Sequence, residues 1–197
     1  MPNLAQQQAL RRAVIWVIAL NLGYFFIEFG VALTIESVSL FADSVDFLED
    51  SAVNTLILFA LGWTARKRAA VGMTAALILL LPAAATLWTA WHQFSTPVVP
   101  APLPLSLTGS GAFIVNLSCA LMIARFRNVQ GSLTKAAFLS ARNDVLANVA
   151  IIIAGLITSI TPSHWPDLVV GVGILLINLD AAAEVFEAAK KERDHTP

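Results

Sequence analysis

Long apolar stretches alternate with short polar segments along this chain, and six of the stretches are long enough to cross a bilayer. A membrane-spanning helix needs about 20 mainly apolar residues. The candidate spans cover residues 13–34, 38–63, 70–94, 107–124, 133–160 and 167–188. Pro82 is expected to kink the third span. Residues 96–106 contain four prolines and no charge, so we expect a loop there. The pattern predicts an all-α membrane protein.

The basic residues are sorted by position. All 12 lysines and arginines lie before the first span, between the second and third, between the fourth and fifth or early in the fifth, and after the sixth. The other three loops contain none. Because short cytoplasmic loops carry an excess of Lys and Arg, this distribution predicts six transmembrane helices with both termini in the cytoplasm.

Composition supports a membrane protein and narrows its chemistry. Hydrophobic residues make up 57% of the 197-residue chain and charged residues 13%, against about 25% charged in soluble domains. The single cysteine, Cys119, excludes an intramolecular disulfide and a multi-cysteine metal cluster. The sequence has no P-loop, dinucleotide-binding glycine pattern or nucleophile elbow. We therefore expect neither an enzyme nor a cofactor, and no nucleic-acid partner.

The chain is predicted to have one membrane domain with two short tails. Residues 1–12 form an N-terminal cytoplasmic tail, residues 13–188 the six-helix transport domain, and residues 189–197 a short charged cytoplasmic tail. We expect the first span to be retained rather than cleaved as a signal peptide. The expected location is the inner (plasma) membrane, as a multi-pass protein.

Three aspartates form a stripe along the second span. At about 100° per residue, Asp43, Asp46 and Asp50 fall within roughly a 60° sector of a helix. Each charged side chain near the bilayer centre costs at least about 2.5–3.5 kcal/mol. The second span contains no basic residue that could pair with them. A bound cation, or a chain of protons, would offset the cost.

The fifth span carries a matching stripe of oxygen-bearing side chains. Ser140, Asp144 and Asn148 repeat every fourth residue and therefore share one helix face. The second and fifth spans run in opposite directions, and Asp50 and Asp144 both lie about 11–12 residues into their spans, near mid-depth. We predict a metal site formed by Asp46, Asp50 and Asp144, with Ser140, Asn148 or Asp43 as further ligands. A purely structural role and a proton pathway are the alternatives.

Polar side chains also occur in the first, fourth and sixth spans. Asn21 and Glu28 of the first span lie seven residues apart, on a similar face. They either line the same cavity or bond to polar groups of neighbouring helices. Asn116 and Asn178 are expected to serve in packing or to support the ligands rather than to bind an ion.

The order of these elements resembles the cation diffusion facilitators. The resemblance covers nearly the whole chain and rests on four strings and the order in which they occur. They are NLGYFFIE at residues 21–28, SVSLFADSVD at residues 37–46 with Asp50, NDVLAN at residues 143–148, and WPDLVVG at residues 165–171.

The resemblance implies six membrane helices and exchange of divalent transition-metal ions against protons. Its central site takes two residues from helix 2, matched by Asp46 and Asp50, and two from helix 5. Asp144 matches the second helix 5 ligand, whereas Ser140 stands where the family usually has His or Asp. Asn143, Asn148 or a water would then complete the shell. The chain resembles the subgroup without the cytoplasmic metal-binding domain, which implies a homodimer formed through the membrane helices.

The expected function is export of zinc-like ions (Zn, Cd, Co) from the cytoplasm in exchange for protons, by alternating access. An oxygen-rich shell suits Mn²⁺ or Fe²⁺ better than zinc, so a Mn/Fe-selective transporter of the same fold is one alternative. The other is a proton-conducting or assembly-type membrane protein that binds no metal. The expected partners are metal cations, protons, the lipid bilayer and a second copy of the chain.

Overall fold

The computed structural model describes residues 4–60, 83–124 and 132–194, with side chains described within 8–58, 83–124 and 143–180. These residues form six helical segments and contain no strand, which confirms the predicted all-α class. The helices are α1 (Leu4–Ile35), α2 (Val38–Ala60), α3 (83–95), α4 (Pro102–Ala124), α5 (Ser132–Ile160) and α6 (Trp165–Asp194).

Three of the described helices are long and apolar enough to cross a membrane. These stretches are Gln8–Ile35, Pro102–Ala124 and Asn143–Ile160. Large apolar side chains point outward from them; Trp16, Phe26 and Leu121 are each about two-thirds exposed. Polar side chains are buried instead. This inversion is expected of a multi-pass membrane protein, in which lipid rather than water covers the outer surface.

The boundary of one predicted loop is wrong. Residues 96–106 were expected to be irregular because of their prolines, but α4 begins at Pro102, so the second half of that segment is helical. The first turn of a helix has no intrahelical partners for its N–H groups, so proline costs nothing there. Helix α1 likewise begins at Leu4, within the predicted tail. Pro82 and its predicted kink lie outside the described residues.

A tight turn makes α1 and α2 an antiparallel hairpin. Glu36 adopts a left-handed backbone conformation with φ of 54°, as residues that end helices commonly do. The Ser37 N–H then donates to the Ala32 carbonyl at 3.0 Å. The Ser37 hydroxyl accepts the Leu40 N–H at 3.2 Å and so caps α2. The two helices therefore run back along each other from this turn.

Helix α2 occupies the centre of the bundle, packed against α1, α5 and α6. Asp167 of α6 fixes its first turn. Its carboxylate accepts hydrogen bonds from the Ser37 and Ser39 hydroxyls at 2.6 and 2.5 Å, and from the Val38 N–H at 2.8 Å. Negative charge at a helix N-terminus is also electrostatically favourable.

Gly171 permits the close approach of α6 to α2. A Cβ at this position would lie 2.7 Å from the Val38 carbonyl carbon and 2.8 Å from the Ser39 nitrogen. Since both atoms belong to the backbone, neither could move away cheaply. The acidic face of α2 is therefore held at a defined position relative to α6.

Candidate metal centre

Asp46 and Asp50 lie one helical turn apart on α2. Asp46 is only 8% exposed, whereas Asp50 is partly buried. Helix α6 also reaches this point, because the amide nitrogen of Asn178 donates a short hydrogen bond to Oδ1 of Asp46. Asn178, expected to serve in packing or to support the ligands, thus contacts one of the predicted ligands directly.

Asp144 of α5 lies close enough to these two carboxylates for their charges to interact. Among charged neighbours, Asp144 exerts the largest electrostatic effect on Asp46, and Asp50 exerts the largest on Asp144. The free thiol of Cys119 on α4 experiences the charges of both Asp50 and Asp144. The structure therefore brings the acids of two antiparallel helices into one region of the bundle interior.

These acids are neighbours, but they do not form a closed ligand shell. Among the residues that the structure describes, no three His, Cys, Asp or Glu side chains are arranged to hold one metal ion. Ser140 lies on α5, but its side chain falls outside the described part of the chain. The predicted ligand set stays a prediction.

Asp43 and Asn148 belong to a hydrogen-bonded row next to the acids. The Asn148 amide nitrogen donates to Oδ2 of Asp43 at 2.6 Å, and its oxygen accepts the Asn116 amide at 3.1 Å. All three side chains are buried. The row joins α2, α5 and α4. It uses Oδ2 of Asp43 and Oδ1 of Asn148, two side chains that were predicted as ligands.

Glu28 of α1 is completely buried and faces Asp43. Asn21 lies two turns before Glu28 on the same helix, farther from the turn between α1 and α2. Its amide oxygen accepts a weak hydrogen bond from the Cys119 thiol at 3.8 Å. Of the two interpretations left open for this face of α1, Glu28 fits a position beside the acidic stripe. Asn21 instead contacts a neighbouring helix.

No role was predicted for Asp167, and only packing or supporting roles were predicted for Asn116 and Asn178. Asp167 pairs with serines 128–130 residues away, a distance at which no local pattern operates. Its only signal was a carboxylate at the start of one span and a Ser-Val-Ser sequence at the start of another.

With this geometry established, comparison with known proteins identifies the family. A family model described as the cation efflux transmembrane domain matches residues 14–192. The chain belongs to the cation efflux family. The match runs from α1 to α6 and confirms the resemblance to cation diffusion facilitators. A search of curated proteins finds no match. Members of the cation efflux family transport metal cations, so membrane transport of a metal cation is the class of function.

Proposed function

We propose that this chain exports divalent transition-metal cations from the cytoplasm in exchange for protons. The transported ion would bind between Asp46 and Asp50 of α2 and Asp144 of α5. The observation that carries the proposal is the burial of Asp46 on α2, near Asp50 and near Asp144 of the adjacent α5, inside a bundle whose described outer surface is apolar. Three carboxylates in such an environment need a positively charged ligand to offset their cost.

Proton exchange follows from the chemistry of these ligands. Carboxylates bind a metal only when deprotonated, so metal and protons compete for the same oxygens. A cation arriving from the cytoplasm would displace protons from the site. After the site opens to the other side, protons would return and release the ion. Alternating access of this kind would couple each outward metal step to inward proton movement.

The proposed arrangement has six spans, both termini in the cytoplasm and a location in the plasma (inner) membrane. Residues 13–188 would form the transport domain, flanked by the tails at residues 1–12 and 189–197. Two copies would associate through their membrane helices. The positions of the Lys and Arg residues along the sequence support this topology.

We propose zinc-like ions (Zn, Cd, Co) as substrates, with Mn²⁺ and Fe²⁺ as the competing choice. The donors proposed here are carboxylates, with Ser140 where the family usually has His or Asp and with the Asn178 amide bonded to Asp46. Oxygen donors favour Mn²⁺ and Fe²⁺, while intrinsic affinity rises toward zinc. These two effects favour different ions. A transport assay in which zinc competes with Mn²⁺ or Fe²⁺ would therefore identify the preferred substrate.

Transport by purified protein in liposomes tests the proposal. A metal-sensitive dye inside the vesicles would report uptake of zinc, cadmium, cobalt, iron and manganese. We expect Asp50→Ala and Asp144→Ala to abolish uptake. Glu49→Ala is the matched control, because Glu49 is a neighbouring acid pointing about 100° away from Asp50 on the same helix; this variant should retain uptake.

A proton pathway without metal is the second candidate. It is favoured by the finding that no three of the described acids are arranged around a common ion position. The same vesicles distinguish the two functions. Metal uptake unchanged in both Asp50→Ala and Asp144→Ala would refute the proposed centre, and proton flux without any metal uptake would support the alternative.

A further inference from the structure

A second pair of acids lies beside the proposed centre, closer to the turn between α1 and α2. Glu28 precedes Glu36 by eight residues and Asp43 follows it by seven. With a rise of about 1.5 Å per residue, both lie about 10–12 Å from the turn, at the same depth in the hairpin. Both side chains are 0% exposed.

Three oxygen atoms of this pair receive no hydrogen bond from the surrounding residues. In the part of the chain that the structure describes, no other residue donates to either oxygen of Glu28 or to Oδ1 of Asp43. The two carboxyl groups interact directly with each other. Buried polar atoms almost always have partners, and leaving them without one is costly. Either a shared proton or a bound cation between the two groups would satisfy these oxygens.

The surroundings of the pair also favour a positive charge between the two groups. The charges that act on it are further carboxylates, Asp46 on Glu28 and Asp50 on Asp43. Asn148 binds only Oδ2 of Asp43, and Asn116 in turn holds Asn148. This row fixes the Asp43 carboxylate through Oδ2 and leaves its Oδ1 free of contacts with Asn148, beside Glu28.

We propose that Glu28 and Asp43 form a second cation-binding position, which takes the transported divalent cation on its way between the central site and the outer side. The proposal rests on the proposed function, since it uses the same ion. Asp43 lies about five residues, or about 7.5 Å, from the midpoint of Asp46 and Asp50 along α2. At this second position the proposed protein ligands are the carboxylate oxygens of Glu28 and Asp43. Such oxygen donors suit hard divalent cations such as Mn²⁺.

Equilibrium dialysis of the purified full-length protein against Mn²⁺, followed by metal quantification, tests the proposal. We expect two ions per wild-type chain at saturation and one ion in Glu28→Gln. The double variant Asp50→Asn with Asp144→Asn should also bind one ion, now at the Glu28–Asp43 position. Asp180→Asn serves as the control, since Asp180 is an exposed acid of α6, and should keep two ions.

The two proposals fail in different ways. If Glu28→Gln binds as many ions as the wild type with the same affinity, the second position is refuted and a proton between the two carboxyl groups takes its place. If the double variant loses no ion, the central site is refuted instead.

A second test uses electron paramagnetic resonance of Mn²⁺ bound to the wild-type protein. It needs no substitution at a buried position, so its result does not depend on whether a variant folds. Two Mn²⁺ ions about 7.5 Å apart should give a spectrum broadened by their mutual interaction when the protein is saturated. A saturated spectrum of isolated ions would overturn the second position.

Discussion

Replacing Asp167 by Ala removes the acceptor that ties the first turn of α2 to α6. The carboxylate accepts the backbone N–H groups of Val38 and Ser39 at 2.8 and 3.3 Å, and two serine hydroxyls as well. Each buried N–H left without a partner costs about 1–3 kcal/mol, so the two together cost about 2–6 kcal/mol. The variant also no longer bears the cost of burying a carboxylate. We therefore expect destabilisation in the lower part of this range, about 2–4 kcal/mol.

Cys119 provides the assay for this prediction. It is the single cysteine of the chain and is buried, so a thiol-reactive fluorophore labels it only when the protein opens. Labelling during heating or denaturant titration in detergent then reports unfolding. Asp180→Ala is the control, since Asp180 is an exposed acid on the same helix. Equal unfolding midpoints for Asp167→Ala and Asp180→Ala would refute the role assigned to Asp167.

Three further predictions concern packing, the metal centre and coupling. Gly171→Ala should destabilise the protein by about 1–3 kcal/mol through overpacking against Val38. Gly173→Ala is the control and should not destabilise it, because a Cβ at that position meets nothing within 4 Å. Equal unfolding midpoints in the thiol-labelling assay would contradict this prediction. Asn178→Leu removes the donor to Asp46 and should weaken metal binding about 10–100-fold in dialysis, as loss of a ligand's supporting hydrogen bond typically does; unchanged affinity would exclude this supporting role. Raising the external pH should slow export, because fewer protons are present to displace the bound metal from the carboxylates; a pH-independent rate in liposomes would argue against proton exchange.

The helical pattern of the chain was predictable because it depends on local periodicity. Grouping Asp43 and Asp46 on one face of the second span needed only the rotation per residue, and both are buried in the structure. The start of α4 was missed because four prolines suggested a loop, although Pro102 is compatible with a first helical turn.

Contacts between helices were harder to predict. Asn178 and Asp46 are 132 residues apart, and Asn116 and Asn148 are 32 apart. A single sequence shows that each span contains a polar residue, but not which polar residue of another span it meets. These pairings depend on how the helices pack, and Gly171 shows that one missing side chain can determine that packing.

A metal-loaded structure would show directly whether the ion binds between α2 and α5. Diffraction data collected at the zinc absorption edge would place the ion without reference to any variant. We expect a peak between α2 and α5 with oxygens of Asp46, Asp50 and Asp144 at about 2.0–2.2 Å, the usual zinc–carboxylate distance. A zinc peak elsewhere in the bundle, with none of these three carboxylates bound to it, would refute the proposed site.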